Sequence, residues 1–274
     1  MKGRTMDNIV QTELENNAHL FFPVQEMPIY NQQGELIKDY KQLRNGNSNQ
    51  LLSIQKKTYQ LLSNEECLVK TVAYLDKHFD TEGMIVNPVS APDGSVIRYD
   101  FTLPAHNKPF KDSKLILKAS MFNSYNGTKS FVLRISFVYE ICTNGLTSQL
   151  WDIYIQRRHN TKKELILEHT TTPISINEVG DHLDRWSRDS VSQELIQNQS
   201  MNLCHQPSQR DRSHVNQAMY KYILEQYATY AKRYGANKFS AYQAFTHWST
   251  HYPSASINTV YDRQRKVANN SWFH

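Results

Sequence analysis

Residues 115–158 constrain the fold most, because apolar and polar side chains alternate there over two long segments joined by an Asn-Gly pair. A period of two is that of a β-strand with one buried face. Asn126-Gly127 favours a tight hairpin, since both residues readily adopt positive φ. Thr143-Asn144-Gly145 marks a second turn, and residues 149–157 provide a third strand. The pattern predicts a three-stranded antiparallel meander whose central strand buries Phe131, Leu133, Ile135, Phe137, Tyr139 and Ile141.

The sequence before the meander predicts one helix and several further strands. Ser63-Asn64-Glu65-Glu66 is a capping box, in which the serine oxygen accepts a hydrogen bond from a first-turn amide, so a helix is predicted over residues 64–79. Residues 97–103 then alternate as a strand, which Pro104 is expected to end because proline lacks an amide donor. Short strands are also predicted on either side of Gly34.

The sequence after Thr172 becomes helical in character. Gly235 is placed to end one of the helices as a left-handed cap, and the polar residues 197–212 are predicted to form a mobile connection. Helices are predicted after the Ser175-Ile176-Asn177-Glu178 capping box, with Val179, Leu183 and Trp186 on its apolar face, and over residues 213–234, 239–248 and 258–268.

This order of elements indicates an α+β fold, because strands come first and helices follow. A twisted antiparallel β-sheet is expected in the N-terminal and central part, with helices packed on it and a helical C-terminal part. The predicted organisation has a polar leader over residues 1–20 and a sheet domain with one helix over residues 21–172. A mainly helical part over residues 173–274 is expected to pack on or beside the sheet.

The bulk composition narrows the class of protein. The net charge of +5 is a mild excess that raises the expectation of an acidic partner such as nucleic acid. Cys67, Cys142 and Cys204 are odd in number and contain no CxxC pair, which favours a reducing cytoplasm over a disulfide framework. No apolar run approaches the ~18 residues of a membrane-spanning helix, so no membrane association is expected.

The densest basic cluster follows the third strand of the meander. Together with basic side chains on neighbouring strands, this cluster could form a cationic surface that contacts phosphates, with Tyr125, Tyr139 and Tyr154 as stacking platforms for bases. The alternative interpretation is a solvated face above a core of aromatic residues. The predicted nucleic-acid-binding residues are Lys118, Tyr125, Lys129, Arg134, Arg157, Arg158, Lys162 and Lys163.

Three other features each have a chemical and a structural interpretation. The turn at residues 123–128 could be a binding tip, or a connection chosen for its backbone geometry. The helix over residues 213–234 interleaves tyrosine with lysine and arginine, which suits gripping a single strand but also suits half-buried packing. His247 and His251 lie four apart on a predicted helix and could share a metal, but they have no evident third ligand.

No metal, cofactor or catalytic residue is therefore predicted. Asp93, Asp100 and Asp112 are the carboxylates that could meet in space, and a metal-dependent nuclease needs such a cluster. The sequence gives no reason for them to converge, so enzymatic activity is left open with a preference against it.

Four segments carry a family resemblance. They are Tyr59 to Glu66, Asn123-Ser124-Tyr125-Asn126-Gly127-Thr128, Ile141-Cys142-Thr143-Asn144-Gly145-Leu146 and Ser240 to Trp248. In this order they resemble a phage- and plasmid-associated family known only as a domain of unknown function (DUF 932), over most of residues 50–270. Asn126 stands where that family usually has aspartate, and Ile141 where it usually has valine. The resemblance implies a mobile-element protein active inside a bacterial cell, and it supplies no catalytic residue.

These observations lead to three functional hypotheses. The first is a phage-encoded nucleic-acid-binding protein that handles single-stranded DNA in replication or recombination in the host bacterial cytoplasm. The second is an interaction protein that binds and blocks a host factor, for example a defence system. The third is a nuclease or hydrolase with an unrecognised site. A homo-oligomer formed by edge-strand pairing is compatible with the first two.

Overall fold

The structure, a computed structural model, describes residues 6–111, 113–139, 144–145, 153–159, 165–168, 176–204, 215–253 and 256–273. Within these ranges it contains two antiparallel sheets and seven α-helices, and most of the helices follow the strands. The α+β fold class predicted from the sequence is therefore confirmed.

A small sheet of three antiparallel strands follows the N-terminal segment. It consists of β1 (Val24–Tyr30), β2 (Leu36–Asn45) and β3 (Leu51–Lys56), in that order. The β1–β2 connection turns at Gly34, which has a φ of +80°, and the side-chain oxygen of Asn31 accepts hydrogen bonds from the amides of Gln33 and Glu35. The strands predicted on either side of Gly34 are confirmed, and they belong to a sheet of their own.

The larger sheet contains the three strands of the predicted meander, but Asn144 and Gly145, which were predicted to lie in a turn, form the short strand β8. Its strand order is β4-β5-β6-β7-β8, and β9 also pairs with β7. β8 pairs with the end of β7 and β9 with its first residues. Ile153 and Ile155 on β9 are buried as predicted, whereas Trp151, Thr143 and Ile141 lie outside the described residues. The strands are β4 (Ile85–Ser90), β5 (Val96–Phe110), β6 (Ser113–Ser124), β7 (Phe131–Tyr139), β8 (Asn144–Gly145) and β9 (Ile153–Arg157).

Strand β5 does not end at Pro104, so that prediction is wrong. β5 continues to Phe110, whereas β4 pairs with it only between Ile97 and Thr102. Beyond Thr102 this edge of β5 forms no ladder with β4, and a residue without an amide donor is tolerated at such an edge.

The helix predicted over residues 64–79 is confirmed. The side-chain oxygen of Ser63 accepts a hydrogen bond from the Glu66 amide at 3.0 Å, and the apolar stripe that contains Leu68, Val72 and Leu75 is completely buried. The described helices are α1 (Met6–Asn16), α2 (Asn64–His78), α3 (Ile176–Arg188), α4 (Gln193–Cys204), α5 (Gln217–Tyr234), α6 (Lys238–His251) and α7 (Ile257–Ala268).

Two segments predicted to be loose are helical instead. Residues 1–20 were expected to form a polar leader, but Met6–Asn16 form α1, on which Ile9 is buried, and Leu20 is buried beyond it. The predicted mobile connection began at Gln197, yet α4 continues to Cys204 and buries Ile196 and Leu203. In both segments a few apolar residues at helical spacing are enough to dock a largely polar helix.

The C-terminal helices pack around α6. Asn237 caps this helix by accepting a hydrogen bond from the Ser240 amide at 2.9 Å, and α3, α5 and α7 all contact it. Trp186 on α3 reaches Tyr242 on α6, with ring centroids 5.0 Å apart. The predicted apolar face of α3 is thus confirmed, although Ser175 lies outside the described residues. Gly235 ends α5 as predicted, but its φ of +90° and ψ of 161° are not those of the predicted left-handed cap.

The chain divides into two compact units that are discontinuous in sequence. The first comprises Met1–His106, Leu117–Ile135 and Ile153–Thr171, and the second comprises Asn107–Ile116, Ser136–Asp152 and Thr172–His274. Parts of β5, β6 and β7 thus belong to the same unit as helices α3 to α7, and the boundary predicted near residue 172 stays a prediction.

Two further observations describe the chemical character of the chain. Cys67 and Cys204 are buried free thiols, and burial raises the pKa of both, to about 11 for Cys204. Cys142 lies outside the described residues. Across the described ranges, no helix is both long enough and apolar enough to span a lipid bilayer.

Candidate nucleic-acid interface

The small sheet presents one face that is aromatic and basic. Its register places Met27, Gln42 and Ile54 in one row, and Tyr40 opposite Lys56 in the next. Residues directly opposite each other on antiparallel strands share a face. The β1–β2 register shifts between Pro28 and Tyr30, so the pairing of Tyr30 with Leu36 does not place these two residues on the face of Met27. The surface named the outer face consists of Gln25, Met27, Lys38, Tyr40, Gln42, Arg44, Leu51, Ile54 and Lys56.

The aromatic and apolar residues of the outer face are open to solvent. Tyr40 is 44% exposed and Ile54 55%. Seven of the thirteen exposed large apolar side chains among the described residues belong to β1–β3, and four of these seven, Met27, Tyr40, Leu51 and Ile54, lie on the outer face. A contiguous set of this kind is typical of a binding surface, whereas isolated exposed apolar residues need no explanation.

The strands of the small sheet also sort their charges by face. Lys38, Arg44 and Lys56 lie on the outer face, and no carboxylate of these fully described strands lies there. Arg44 donates hydrogen bonds to Gln42 Oε1 and the Asn49 carbonyl, two neutral acceptors that leave its charge uncompensated. Glu26 faces the opposite side and pairs with Lys41 at 2.6 Å. The outer face is therefore positive in potential.

The opposite face of the small sheet is the one that contributes to the core. Leu43 and Leu52 pack with Phe22, Tyr59 and Tyr125 in one buried cluster. The Ser53 hydroxyl donates a hydrogen bond to the Tyr125 carbonyl at 2.7 Å, which ties β3 to the β6–β7 turn. Because the core uses this face, the apolar side chains of the outer face are not required for packing.

Tyr125 is part of the core, so its predicted role as a stacking platform is wrong. The side chain is 1% exposed, and its ring lies 5.7 Å from that of Phe22. Its hydroxyl accepts a hydrogen bond from the Asn64 amide at 2.7 Å, at the start of α2. Burial raises the pKa of this hydroxyl, since the phenolate would be desolvated. A ring enclosed in this way cannot stack on a base.

The residues before Tyr125 complete a buried polar network. The Asn123 side-chain amide donates hydrogen bonds to Asn64 Oδ1 at 2.8 Å and to the Leu62 carbonyl at 3.0 Å. Asn64 donates in turn to the Leu20 carbonyl, and the Tyr59 hydroxyl donates to the Ser124 carbonyl. The first half of the Asn-Ser-Tyr-Asn-Gly-Thr segment thus has a structural role, in which it joins α2, β6 and the small sheet.

The second half of this segment forms the β6–β7 turn, which is longer than the predicted two-residue hairpin. Only Gly127 has a positive φ, +73°, and Asn126 Oδ1 accepts hydrogen bonds from the Thr128 amide and hydroxyl. The Ser124 hydroxyl donates to the Lys129 carbonyl at 2.7 Å and accepts from the Lys129 amide. These side-chain bonds replace the ladder of a tight hairpin.

A cleft lies between this turn, the end of β3 and the residues after β9. Its volume is about 570 Å³. The His159 ring stacks on Tyr59 with centroids 4.8 Å apart, and burial, together with the nearby Arg157 charge, lowers the pKa of His159. The lining residues are Gln55, Lys56, Thr58, Tyr59, Gly127, Thr128, Lys129, Ser130 and His159.

The structure separates the residues of the predicted cationic surface. The β7–β9 register pairs Arg134 with Tyr154 and Phe131 with Arg157, so Arg134 and Arg157 point to opposite faces of the larger sheet. Lys129 lies at the cleft, Arg158 is exposed just after β9, and Lys162 and Lys163 lie outside the described residues. The prediction of a single patch that contains both Arg134 and Arg157 is therefore wrong.

The face of the larger sheet that carries Lys118 contains compensated charges. Lys118 is half-buried and alternates with the buried Leu117 and Ala119, on the side of β6 that also carries Ser120. Asp100 on β5 accepts a hydrogen bond from Ser120 at 2.7 Å and pairs with Arg98 at 2.9 Å. An ion pair of this kind reduces the local positive potential, so this face is a weaker candidate than the outer face.

Carboxylates that a nuclease would need do not meet. Asp93 accepts hydrogen bonds from the amide and hydroxyl of Ser95, whereas Asp100 bonds Ser120 and Arg98; Asp112 lies outside the described residues. In the ranges that the structure describes, no group of three or more His, Cys, Asp or Glu side chains could hold a metal ion.

The tyrosines of α5 confirm the packing interpretation. Tyr222 contacts Tyr252 edge-on at 5.1 Å, Tyr234 contacts Phe239 at 5.3 Å, and Tyr230 is buried. His247 shares a hydrogen bond of 3.1 Å with the Tyr222 hydroxyl, and the rings of His247 and His251 lie 4.7 Å apart. This pair therefore belongs to an aromatic cluster between α5 and α6.

The outer face was missed in the sequence, although its signal is present. Leu36, Lys38, Tyr40, Gln42 and Arg44 alternate along β2, but the intervening Ile37 and Leu43 are also apolar, which obscures the period of two.

No protein-family model, curated protein or solved structure matches this chain.

Proposed function

We propose that the protein binds single-stranded nucleic acid on the outer face of the small sheet. The observation that carries the proposal is the combination of exposed Tyr40 with Lys38, Arg44 and Lys56 on one face whose residues include no carboxylate. Aromatic side chains stack on unpaired bases regardless of sequence, and cations contact the phosphates between them. Double-stranded DNA offers no unstacked bases to such a surface, so single strands are the favoured ligand.

The biological setting belongs to the same proposal. The resemblance to the phage- and plasmid-associated DUF 932 family supports a role for single-stranded DNA binding in phage replication or recombination, within the host bacterial cytoplasm. The matching segments supply no catalytic residue, and the described carboxylates do not converge, so a binding function without catalysis is the simplest account. Formation of a homo-oligomer stays a prediction.

The test is the affinity for a fluorescently labelled oligothymidylate, measured by anisotropy for Tyr40→Ala and for Tyr154→Ala. Loss of one base–aromatic stack costs ~1–3 kcal/mol, so Tyr40→Ala should weaken binding by about fivefold or more. Tyr154 is the matched control, because it is 46% exposed on β9 of the larger sheet and was a predicted platform. Equal losses for the two variants, or no binding at low salt, would contradict the proposed interface.

A second candidate function rests on the aliphatic part of the outer face. Met27, Leu51 and Ile54 are exposed apolar side chains that a protein partner, such as a host defence factor, could bury. Capture from nuclease-treated host lysate distinguishes the two candidates. A stoichiometric partner that Ile54→Asp releases, combined with unchanged oligothymidylate affinity, would favour the protein partner.

A further inference from the structure

The cleft beside the outer face collects positive and neutral polar groups from three separate segments. Lys56 comes from the end of β3, Lys129 from the β6–β7 turn and His159 from the residues after β9. Thr58, Thr128 and Ser130 add hydroxyl groups, and none of the nine described lining residues is acidic. Cations and hydroxyls that face one concave space are the donor set that binds phosphate oxygens.

The backbone that carries Lys129 is held in place by the turn. Its amide and carbonyl both bond the Ser124 hydroxyl, and the adjacent core anchors Tyr125. The Gln55 side-chain amide lies against Gly127, close to the position that a Cβ would occupy. The hydrogen bonds of Ser124 fix the backbone around Lys129, which favours a ligand site whose donors are held in place before binding.

The electrostatic character of the cleft is independently visible at His159. Neither ring nitrogen of His159 has a hydrogen-bond partner of good geometry among the described residues, although the backbone groups of Gln60 and Lys129 partly favour its protonated form. The Arg157 charge adds to burial in lowering the His159 pKa, so Arg157 contributes positive potential to the position of this ring. An anion in the cleft would be attracted by the same potential.

We propose that this cleft binds the phosphate group of one nucleotide, either as a phosphodiester within a strand or as a free or terminal phosphomonoester. A volume of about 570 Å³ lies within the range of ligand sites and admits a phosphate with its attached sugar. Lys56 belongs both to the cleft and to the outer face, which makes the two surfaces continuous. The identification of nucleic acid as the source of the phosphate rests on the proposed function, whereas the proposal that the cleft binds a phosphate group does not.

The experiment compares thymidine 5′-monophosphate with thymidine by calorimetric titration of the wild-type protein, Lys129→Gln and Lys57→Gln. Lys57 is the matched control, since it is exposed and adjacent to Lys56 but does not line the cleft. The wild-type protein should bind the monophosphate and not the nucleoside, and Lys129→Gln should weaken this binding by roughly tenfold, the effect of one charge-assisted hydrogen bond. Lys57→Gln should bind like the wild-type protein.

Equal losses of monophosphate affinity in the two lysine variants would overturn the site, because they would indicate diffuse electrostatic attraction. Binding of thymidine as tight as that of its monophosphate would also overturn it. Circular dichroism melting checks that Lys129→Gln keeps the fold. Oligothymidylates with and without a 5′-phosphate then identify the source of the bound phosphate group. If Lys129→Gln weakens the binding of both strands, the group is a phosphodiester. If it weakens the binding of only the 5′-phosphorylated strand, the group is a terminal phosphomonoester. If the protein binds oligothymidylate but not the monophosphate, the cleft is not a phosphate site, and the outer face stays the proposed interface.

Discussion

At the scale of single residues, Tyr125 shows why a sequence motif can be prominent without being a binding tip. Its neighbours have donors and acceptors that would suit a ligand, but the structure uses them internally, with Asn64 bonded to both Tyr125 and Asn123. The Asn-Gly dipeptide correctly predicted a turn. The partners of the Tyr125 hydroxyl were not predictable, because they come from a residue 61 positions earlier in the chain.

The structural role of Tyr125 predicts a stability effect for Tyr125→Phe. This change removes the hydroxyl that accepts from the buried Asn64 amide and leaves that donor unsatisfied, so the free energy of unfolding should fall by ~1–2 kcal/mol. Tyr30→Phe removes an exposed hydroxyl and should change it by less than ~0.5 kcal/mol. Urea denaturation followed by circular dichroism measures both. A neutral Tyr125→Phe would show that the hydrogen bond contributes little.

At the scale of elements, hydrophobic period and capping predicted the positions of helices and strands well. Helix α2 and strand β7 form where their patterns place them, because the cap at Ser63 and the alternation along residues 131–138 are local features. The single buried face predicted for β7 is wrong, since residues 131–138 are all buried and both faces of the strand are covered. Pro104 and the polar α4 were predicted wrongly, since their outcome depends on which neighbour pairs or packs with them. The outer face was obscured for a related reason: the exposed end of the β1–β2 hairpin carries apolar residues on both of its faces.

The aromatic cluster between α5 and α6 predicts a pH dependence of stability. Burial and the neighbouring His251 lower the pKa of His247 from 6.5 to about 4. Between these values the unfolded chain binds a proton that the folded chain does not, so folding stability falls as the pH decreases from 6.5 towards 4. Lowered pKa values of His159 and His182 act in the same direction.

Urea denaturation at pH 7.5 and pH 5 should therefore show a less stable protein at pH 5, and His247→Gln should reduce the difference. The substitution removes the largest of these histidine shifts while Tyr222 keeps its edge-on contact with Tyr252. A variant whose stability changes with pH as much as that of the wild-type protein would place the titration elsewhere.

At the scale of the whole molecule, the net charge of +5 is a poor guide to where an anion binds. Positive side chains occur throughout the chain, and many are paired: Lys41 with Glu26, Arg98 with Asp100 and Lys111 with Asp184. The composition predicted an acidic partner in general terms. The surface that would attract it depends on strand register, which places Arg44 and Lys56 on the outer face and the Glu26–Lys41 ion pair on the opposite face.

The salt dependence of binding separates a localised interface from attraction by net charge. Three phosphate contacts, from Lys38, Arg44 and Lys56, predict a slope of about −2 for the logarithm of the oligothymidylate binding constant against that of the salt concentration. Lys38→Gln should make the slope shallower by ~0.7, because one counterion fewer is released. Tyr40→Ala should lower affinity at every salt concentration without changing the slope, since stacking releases no counterions.

Lys221 provides the matched control for this measurement. Its side chain is 79% exposed on α5, where it lies 3.9 Å from Glu225, so its substitution by glutamine removes the same formal charge from a helix outside the small sheet. A localised interface predicts a wild-type slope for Lys221→Gln, whereas attraction by net charge predicts that Lys221→Gln and Lys38→Gln change the slope equally. The second result would contradict binding on the outer face even if the protein retained oligothymidylate, because the strand would then have no fixed register on the protein.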